Sequence, residues 1–163
     1  MVMERGIGLF GGTFDPVHNG HVRVASLIKQ LPYIEDLWIH VNYKPHYKKP
    51  MFSFYHRCIF AYAFDAMVIR EEYNYTYQVL RHLRKIYGRK YPIYFFVGKE
   101  WDISTFKNTD YVKRNCIVMP IPKVEINVRS TQIREMIKRN EPLDGLVPDS
   151  VTYNLKEALR NGI

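Results

Sequence analysis

Apolar positions along this chain alternate between two periods. Residues 7–10 form a short apolar run of the kind that makes a buried strand, and after a glycine-containing turn Val22, Ala25, Leu27 and Ile28 recur at helical spacing until Leu31-Pro32 closes the segment. Residues 37–41 return to a strand pattern. A strand, a helix and a second strand at this spacing predict a right-handed parallel crossover. Ser53 then caps a predicted helix with Phe54, Ile59, Phe60, Ala63 and Met67 on its apolar side, followed by a polar connection over residues 71–75. Thr76 starts a helix through Val79, Leu80, Leu83 and Ile86 that Gly88 ends.

Residues 92–97 and 116–119 read as two further strands. A helix with Ile133, Met136 and Ile137 follows, with Ser130 or Thr131 as its cap. Pro148 opens an amphipathic tail helix with Val151, Leu155, Ala158 and Leu159, predicted to cover the sheet. Strands alternating with helices predict an α/β fold: a Rossmann-like, doubly wound parallel sheet in one domain spanning residues 1–163.

The chemistry concentrates at the first turn, Gly11-Gly12-Thr13-Phe14-Asp15-Pro16-Val17-His18-Asn19-Gly20-His21. Two glycines let the backbone approach a ligand, and a helix starting near Asn19 offers free N–H groups and a positive dipole end, so the turn is suited to phosphate. His18 and His21 fall around the first helical turn and can converge on one anion, each able to become cationic near neutral pH. The bland alternative is one capping and one surface histidine. Gly6-Ile7-Gly8-Leu9-Phe10-Gly11 fits G-x-G-x-x-G, but five residues are too few for the strand that must precede a dinucleotide fingerprint. There is no Walker loop.

The net charge of +8 favours anionic partners, nucleotides or nucleic acid. The aromatic share, 15% with 13 Tyr, serves packing as readily as base stacking. Cys58 and Cys116 show neither zinc nor disulfide spacing, which fits a reducing cytoplasm. The N-terminus lacks an apolar signal core, and no run has the length of a membrane span, so a soluble cytoplasmic protein is expected. Loop 42–50 carries three lysines and sits at the carboxyl edge of the predicted sheet, where such folds bind ligands.

Gly11 to His21 resembles the G-G-T-F-D-P-x-H-x-G-H signature of the nicotinamide or nicotinate mononucleotide adenylyltransferases, and Val128-Arg129-Ser130-Thr131-Gln132-Ile133-Arg134 is similar to their I-S-S-T-x-I-R. The resemblance implies transfer of AMP from ATP to a pyridine mononucleotide, releasing pyrophosphate. It implies that His18, His21, Arg134 and Lys48 act on the phosphates, with Lys44 the reserve for Lys48. Gly11, Gly12, Thr13, Phe14, Gly98, Glu100, Ser130 and Thr131 would bind ATP. Glu100 stands where relatives carry an aspartate facing the ribose. Lys44, Arg57, Tyr75, Thr76 and Phe106 would bind the mononucleotide, although Arg57 also reads as a surface arginine, Thr76 as a cap alone and Phe106 as core.

Mg²⁺ is expected to arrive on the phosphates, since no carboxylate cluster reads as a metal cage. Two rivals remain. A pantetheine-phosphate adenylyltransferase shares a K-K-P-x-F-S segment like Lys48 to Ser53 but usually has Thr in place of His18. A non-catalytic nucleic-acid binder would use the basic surface, against which stand scattered charges and the lack of a recognisable binding module. The sequence leaves room for a homo-oligomer.

Overall fold

Strand β1 (Gly6–Gly12) is flanked on both sides in a computed structural model that describes residues 2–162. On one side lie β2 (Ile34–Val41) and β3 (Met67–Ile69), and on the other β4 (Ile93–Val97) and β5 (Ile117–Pro120). The order is β3-β2-β1-β4-β5 and every pairing is parallel. The chain winds outward from β1 to β3 and crosses back to β4, so the strand order reverses at the carboxyl end of β1, where a crevice opens.

The pleat of β1 divides the core. Ile7 and Leu9 join Trp38, Ile93 and Phe95 under α3 (Thr76–Tyr87) and α4 (Thr109–Asn115), which contribute Val79, Leu80, Leu83 and Val112. On the other face Phe10 joins Ile39, Tyr94 and Phe96 beneath α1 (Asn19–Lys29) and α2 (Phe54–Ala61). Alternate residues of each strand thus supply opposite layers, and near-continuous apolar strands follow because both faces are buried. Gly8 lets α1 pack close to β1: a Cβ there would stand 3.2 Å from Leu37 Cδ1 and 3.3 Å from Ile28 Cγ2, so those side chains would have to give way slightly.

Helix α5 (Ser130–Lys138) follows a long loop, and α6 (Asp149–Arg160) packs on α2 and adds Val151, Leu155 and Ala158 to the Phe10 side. The C-terminal segment is tied to the start of α1, where the Asn19 amide N–H donates to Leu146 O at 2.8 Å and its side chain to Gly145 O at 2.9 Å.

Several local expectations are corrected. The helix capped by Ser53 stops at Ala61; a 3₁₀ turn (Tyr62–Phe64) and Asp65 at φ 51° redirect the chain into β3, leaving Met67 exposed on an edge strand. β3 has three residues, too few to show a period. Helix α4 was not expected, and Ile86 and Leu159 point outward. Thr76 is the first residue of α3 rather than its cap: Gln78 Oε1 accepts from the amides of Asn74 and Tyr75 at 3.0 and 3.1 Å. Neither Ser130 nor Thr131 caps α5, whose flanking residue is the extended Arg129.

Candidate active site

The two histidines at the head of α1 cap one another. His18 Nδ1 accepts from the His21 amide at 3.2 Å, and His21 Nδ1 accepts from the His18 amide at 3.1 Å. This is a capping box built from imidazoles. The rings stack with centroids 3.6 Å apart and 16° between planes. Gly20 makes the arrangement feasible, because a Cβ there would lie 2.9 Å from the His18 ring. Since each Nδ1 accepts, each neutral ring must carry its proton on Nε2.

Burial pushes the His18 pKa down to about 4. It pushes His21 well below its ordinary value, reinforced by the charges of His18 and Lys48. The expectation of cationic histidines is therefore corrected for the free protein: both are neutral at pH 7. The pair presents two N–H donors rather than two charges.

The loop before them is pinned by a buried carboxylate. Asp15 Oδ2 accepts from Met51 N at 2.7 Å and Oδ1 from Phe52 N at 2.8 Å, which docks the end of the basic loop onto the glycine turn. Arg134 on α5 reaches the same point: Nη1 donates to Asp15 O at 2.9 Å, with Asp15 Oδ2 at 3.7 Å, and Nη2 donates to Thr131 Oγ1 at 3.0 Å. Ser130 Oγ donates to Pro16 O at 2.9 Å. The two motifs thus meet through direct hydrogen bonds. Ser130 and Thr131 spend their hydroxyls on this joint, while Arg134 keeps three of its five N–H donors uncommitted.

A cavity of about 600 Å³ opens from this point along the carboxyl ends of β1, β2 and β4. Gly11, Gly12, Thr13, Phe14, His18 and His21 line one region, and Tyr75, Thr76, Gly98, Glu100 and Phe106 line others. The Glu100 carboxylate folds against Gly98 so closely that a Cβ at 98 would collide with it. Phe14, held at φ 53°, backs the His21 ring edge-on at 5.1 Å. Arg134, Ser130, Thr131 and Lys48 do not line the cavity. Lys48 nevertheless lies near the Asp15 joint and the histidine pair. Partial burial and the nearby Arg134 and Arg57 lower its pKa, Asp15 opposes the shift, and its charge is felt at His21.

One assignment is corrected, and a second residue lies outside the cavity lining. Arg57 is neither a ligand contact nor a surface residue: its side chain is 1% exposed and donates to the carbonyls of Phe52, Thr13, Asn42 and Tyr43 at 3.1, 3.1, 2.6 and 2.8 Å. It holds together the three segments that frame the cavity. Lys44 does not line the cavity; its ammonium lies over the Tyr43 ring at 5.1 Å and its backbone N–H donates to Asn74 Oδ1 at 2.8 Å.

Sequence reasoning missed several lining residues, among them His40, His46, Tyr47, Trp101 and Lys107. Trp101 offered a signal, an aromatic residue three positions beyond Gly98 at the carboxyl edge of β4. It packs against Tyr47 at 5.7 Å and Phe106 at 6.4 Å. His40 Nε2 lies 3.1 Å from Tyr73 O and must donate to it, leaving an Nδ1 lone pair on the side of Gly11.

Residues 9–136 match the cytidylyltransferase-like family model. The chain belongs to that family. Among cytidylyltransferase-like relatives, a probable nicotinate-nucleotide adenylyltransferase of Bacillus licheniformis is 31% identical over 94% of this chain and 96% of its own. The nicotinate-nucleotide adenylyltransferase of Bacillus subtilis is 28% identical over 93% and 95%. Among solved structures, a putative nicotinate-nucleotide adenylyltransferase from Vibrio parahaemolyticus superposes with a TM-score of 0.72 at 22% identity, covering 94% of this chain and 99% of its own. The Plasmodium falciparum nicotinic acid mononucleotide adenylyltransferase complexed with NaAD gives 0.71 at 18%, covering 97% and 98%. These structures share the fold. Among the described residues no helix is long and apolar enough to cross a membrane.

Proposed function

We propose that this protein transfers AMP from ATP to nicotinate mononucleotide, or its nicotinamide counterpart, forming the dinucleotide and pyrophosphate in NAD biosynthesis. Nearly full-length relatives named nicotinate-nucleotide adenylyltransferases support the reaction. The observation that carries it in this chain is the joint at Asp15, which sets Arg134 beside the loop that ends in the His18 and His21 donors.

In this reading the acceptor's phosphate oxygen attacks the α-phosphorus of ATP, the bond to the β-phosphate oxygen breaks and pyrophosphate leaves. A phosphate monoester is already a nucleophile, so the protein has to align two mutually repelling anions and stabilise the charge they share. His18 Nε2–H, His21 Nε2–H and the free N–H groups of Arg134 would hold the triphosphate oxygens, with Lys48 adding charge from the basic loop. An anion seated there would raise the histidine pKa values by opposing the effect of burial. The cavity, about 600 Å³, falls within the roughly 300–1,000 Å³ usual for enclosed organic ligands.

Mg²⁺ belongs to the proposal. Asp15, the carboxylate of the phosphate loop, is committed to two amides and Arg134, and among the described residues no three His, Cys, Asp or Glu side chains gather as a cage. The cation would be held by phosphate oxygens and water, and would supply further neutralisation of the developing charge.

The test is turnover of purified protein with ATP and a panel of nicotinate mononucleotide, nicotinamide mononucleotide and phosphopantetheine, reading both pyrophosphate release and the mass of the product. Dinucleotide formation is expected. Turnover of phosphopantetheine alone, or of none of the three, overturns the reading.

A further inference from the structure

The cavity lining is poor in fixed charge. Of all its side chains only Glu100 and Lys107 are charged irrespective of pH near neutrality; the remainder are aromatic, aliphatic, hydroxyl, amide, glycine or imidazole. Among the described residues Lys107 has no carboxylate partner, and its ammonium sits 4.8 Å from the centroid of the Tyr75 ring. Tyr75 also stacks on His46 at 5.4 Å. Phe106, next to Lys107, turns its ring toward Phe95 and Trp101. An ammonium without a carboxylate partner thus stands over the Tyr75 ring, in a lining rich in aromatic side chains. The lysine whose charge reaches the histidine pair is Lys48, which does not line the cavity, whereas Lys107 lines it beside Tyr75.

We infer that Lys107 is the specificity residue by which this enzyme prefers the acid, nicotinate mononucleotide, over the amide; this rests on the adenylyltransferase reading above. The two substrates bring two flat heterocycles into the cavity. Adenine is neutral, whereas the pyridine ring of a mononucleotide is a glycosylated pyridinium whose positive charge suits the faces of Tyr75, Trp101 and Phe106. A fixed ammonium beside those rings would repel a ring of net charge +1, which is the amide. In the acid the ring carboxylate cancels the pyridinium charge and gives the ammonium a partner. One lysine therefore acts twice, attracting the carboxylate and opposing the competitor that lacks it. Lys107 is exposed at the cavity mouth, so its pairing is partly screened and a moderate preference follows.

The experiment measures kcat and KM for both mononucleotides at saturating ATP in wild type, Lys107→Gln and Lys107→Arg. In Lys107→Gln the ratio of kcat/KM for acid over amide should fall roughly ten-fold, chiefly through a higher KM for the acid, while Lys107→Arg keeps most of the wild-type ratio. A purely structural lysine, or one that binds the acceptor's phosphate or ATP, would lower kcat/KM for acid and amide together and leave the ratio unchanged, and that result overturns the inference alone. Wild-type protein that turns over neither mononucleotide removes the adenylyltransferase reading and this inference with it.

Discussion

His18 and His21 each give Nδ1 to the other's backbone amide, at 3.2 and 3.1 Å, so two residues that start α1 also line the cavity while keeping Nε2–H out of the cap. Fold and chemistry can be separated because the cap uses one nitrogen and the ligand would use the other. His18→Ala removes both and should cost about 1 kcal/mol of stability together with ~10²–10³ in kcat. His18→Asn supplies a good capping oxygen without the Nε2–H. It should melt close to wild type and still lose activity to the same degree, as thermal denaturation and turnover would show. Full activity in His18→Asn would remove His18 from phosphate binding.

Arg134 is held by Asp15 O and Thr131 Oγ1, and its fork has donors to spare. A lysine restores the charge but cannot bridge the loop and a phosphate at once. Arg134→Ala should lower kcat by ~10²–10³, with Arg134→Lys recovering only part of that loss. Equal activity of the lysine variant and wild type would mean that charge alone matters there.

Four of the five strands, five of the six helices and the two motifs that meet at Asp15 were legible because each has a local signature: apolar runs bounded by turns, or glycines, histidines and hydroxyls at fixed spacing. What escaped has a non-local cause. β3 is three residues long and exists because β2 offers an edge to pair with. Arg57 looks like an ordinary first-turn arginine in sequence; only the folded chain brings the carbonyls of Thr13, Asn42 and Tyr43 around it. Ser130 resembles a helix cap, yet its hydroxyl is claimed by Pro16 O, 114 positions away. Lys107 and Trp101 lie in a loop with no periodicity, and their place in the lining follows from how β4 delivers that loop to the crevice.

Arg57 yields a prediction opposite in kind to Arg134. Its guanidinium satisfies four buried or half-buried carbonyls, so Arg57→Ala leaves them unpaired and should cost roughly 3 kcal/mol or more, lowering the Tm by roughly 10 °C. At temperatures where the variant is folded, KM for ATP and for the mononucleotide should change far less than stability does, because the guanidinium is spent on backbone carbonyls that frame the cavity. A variant with normal Tm and a raised KM would return Arg57 to the binding site.

Stability should fall on mild acidification through histidines held neutral. His40 is 7% exposed, and burial lowers its pKa to about 4, although the bond to Tyr73 O partly opposes the shift. The unfolded chain takes up the proton near pH 6.5, well before the folded one does. The stabilisation is therefore complete above pH 6.5 and is lost progressively as the pH falls toward 4, at no more than about 1.4 kcal/mol per pH unit for each such group. His18, with a pKa also near 4, and His21 add to the same limb. His40→Gln keeps an N–H donor for Tyr73 O and cannot titrate. Between pH 6.5 and 5 it should lose roughly 1.5 kcal/mol less than wild type in urea denaturation, carboxylates contributing equally to both. Parallel curves for the two proteins would show that His40 titrates alike in the folded and unfolded states.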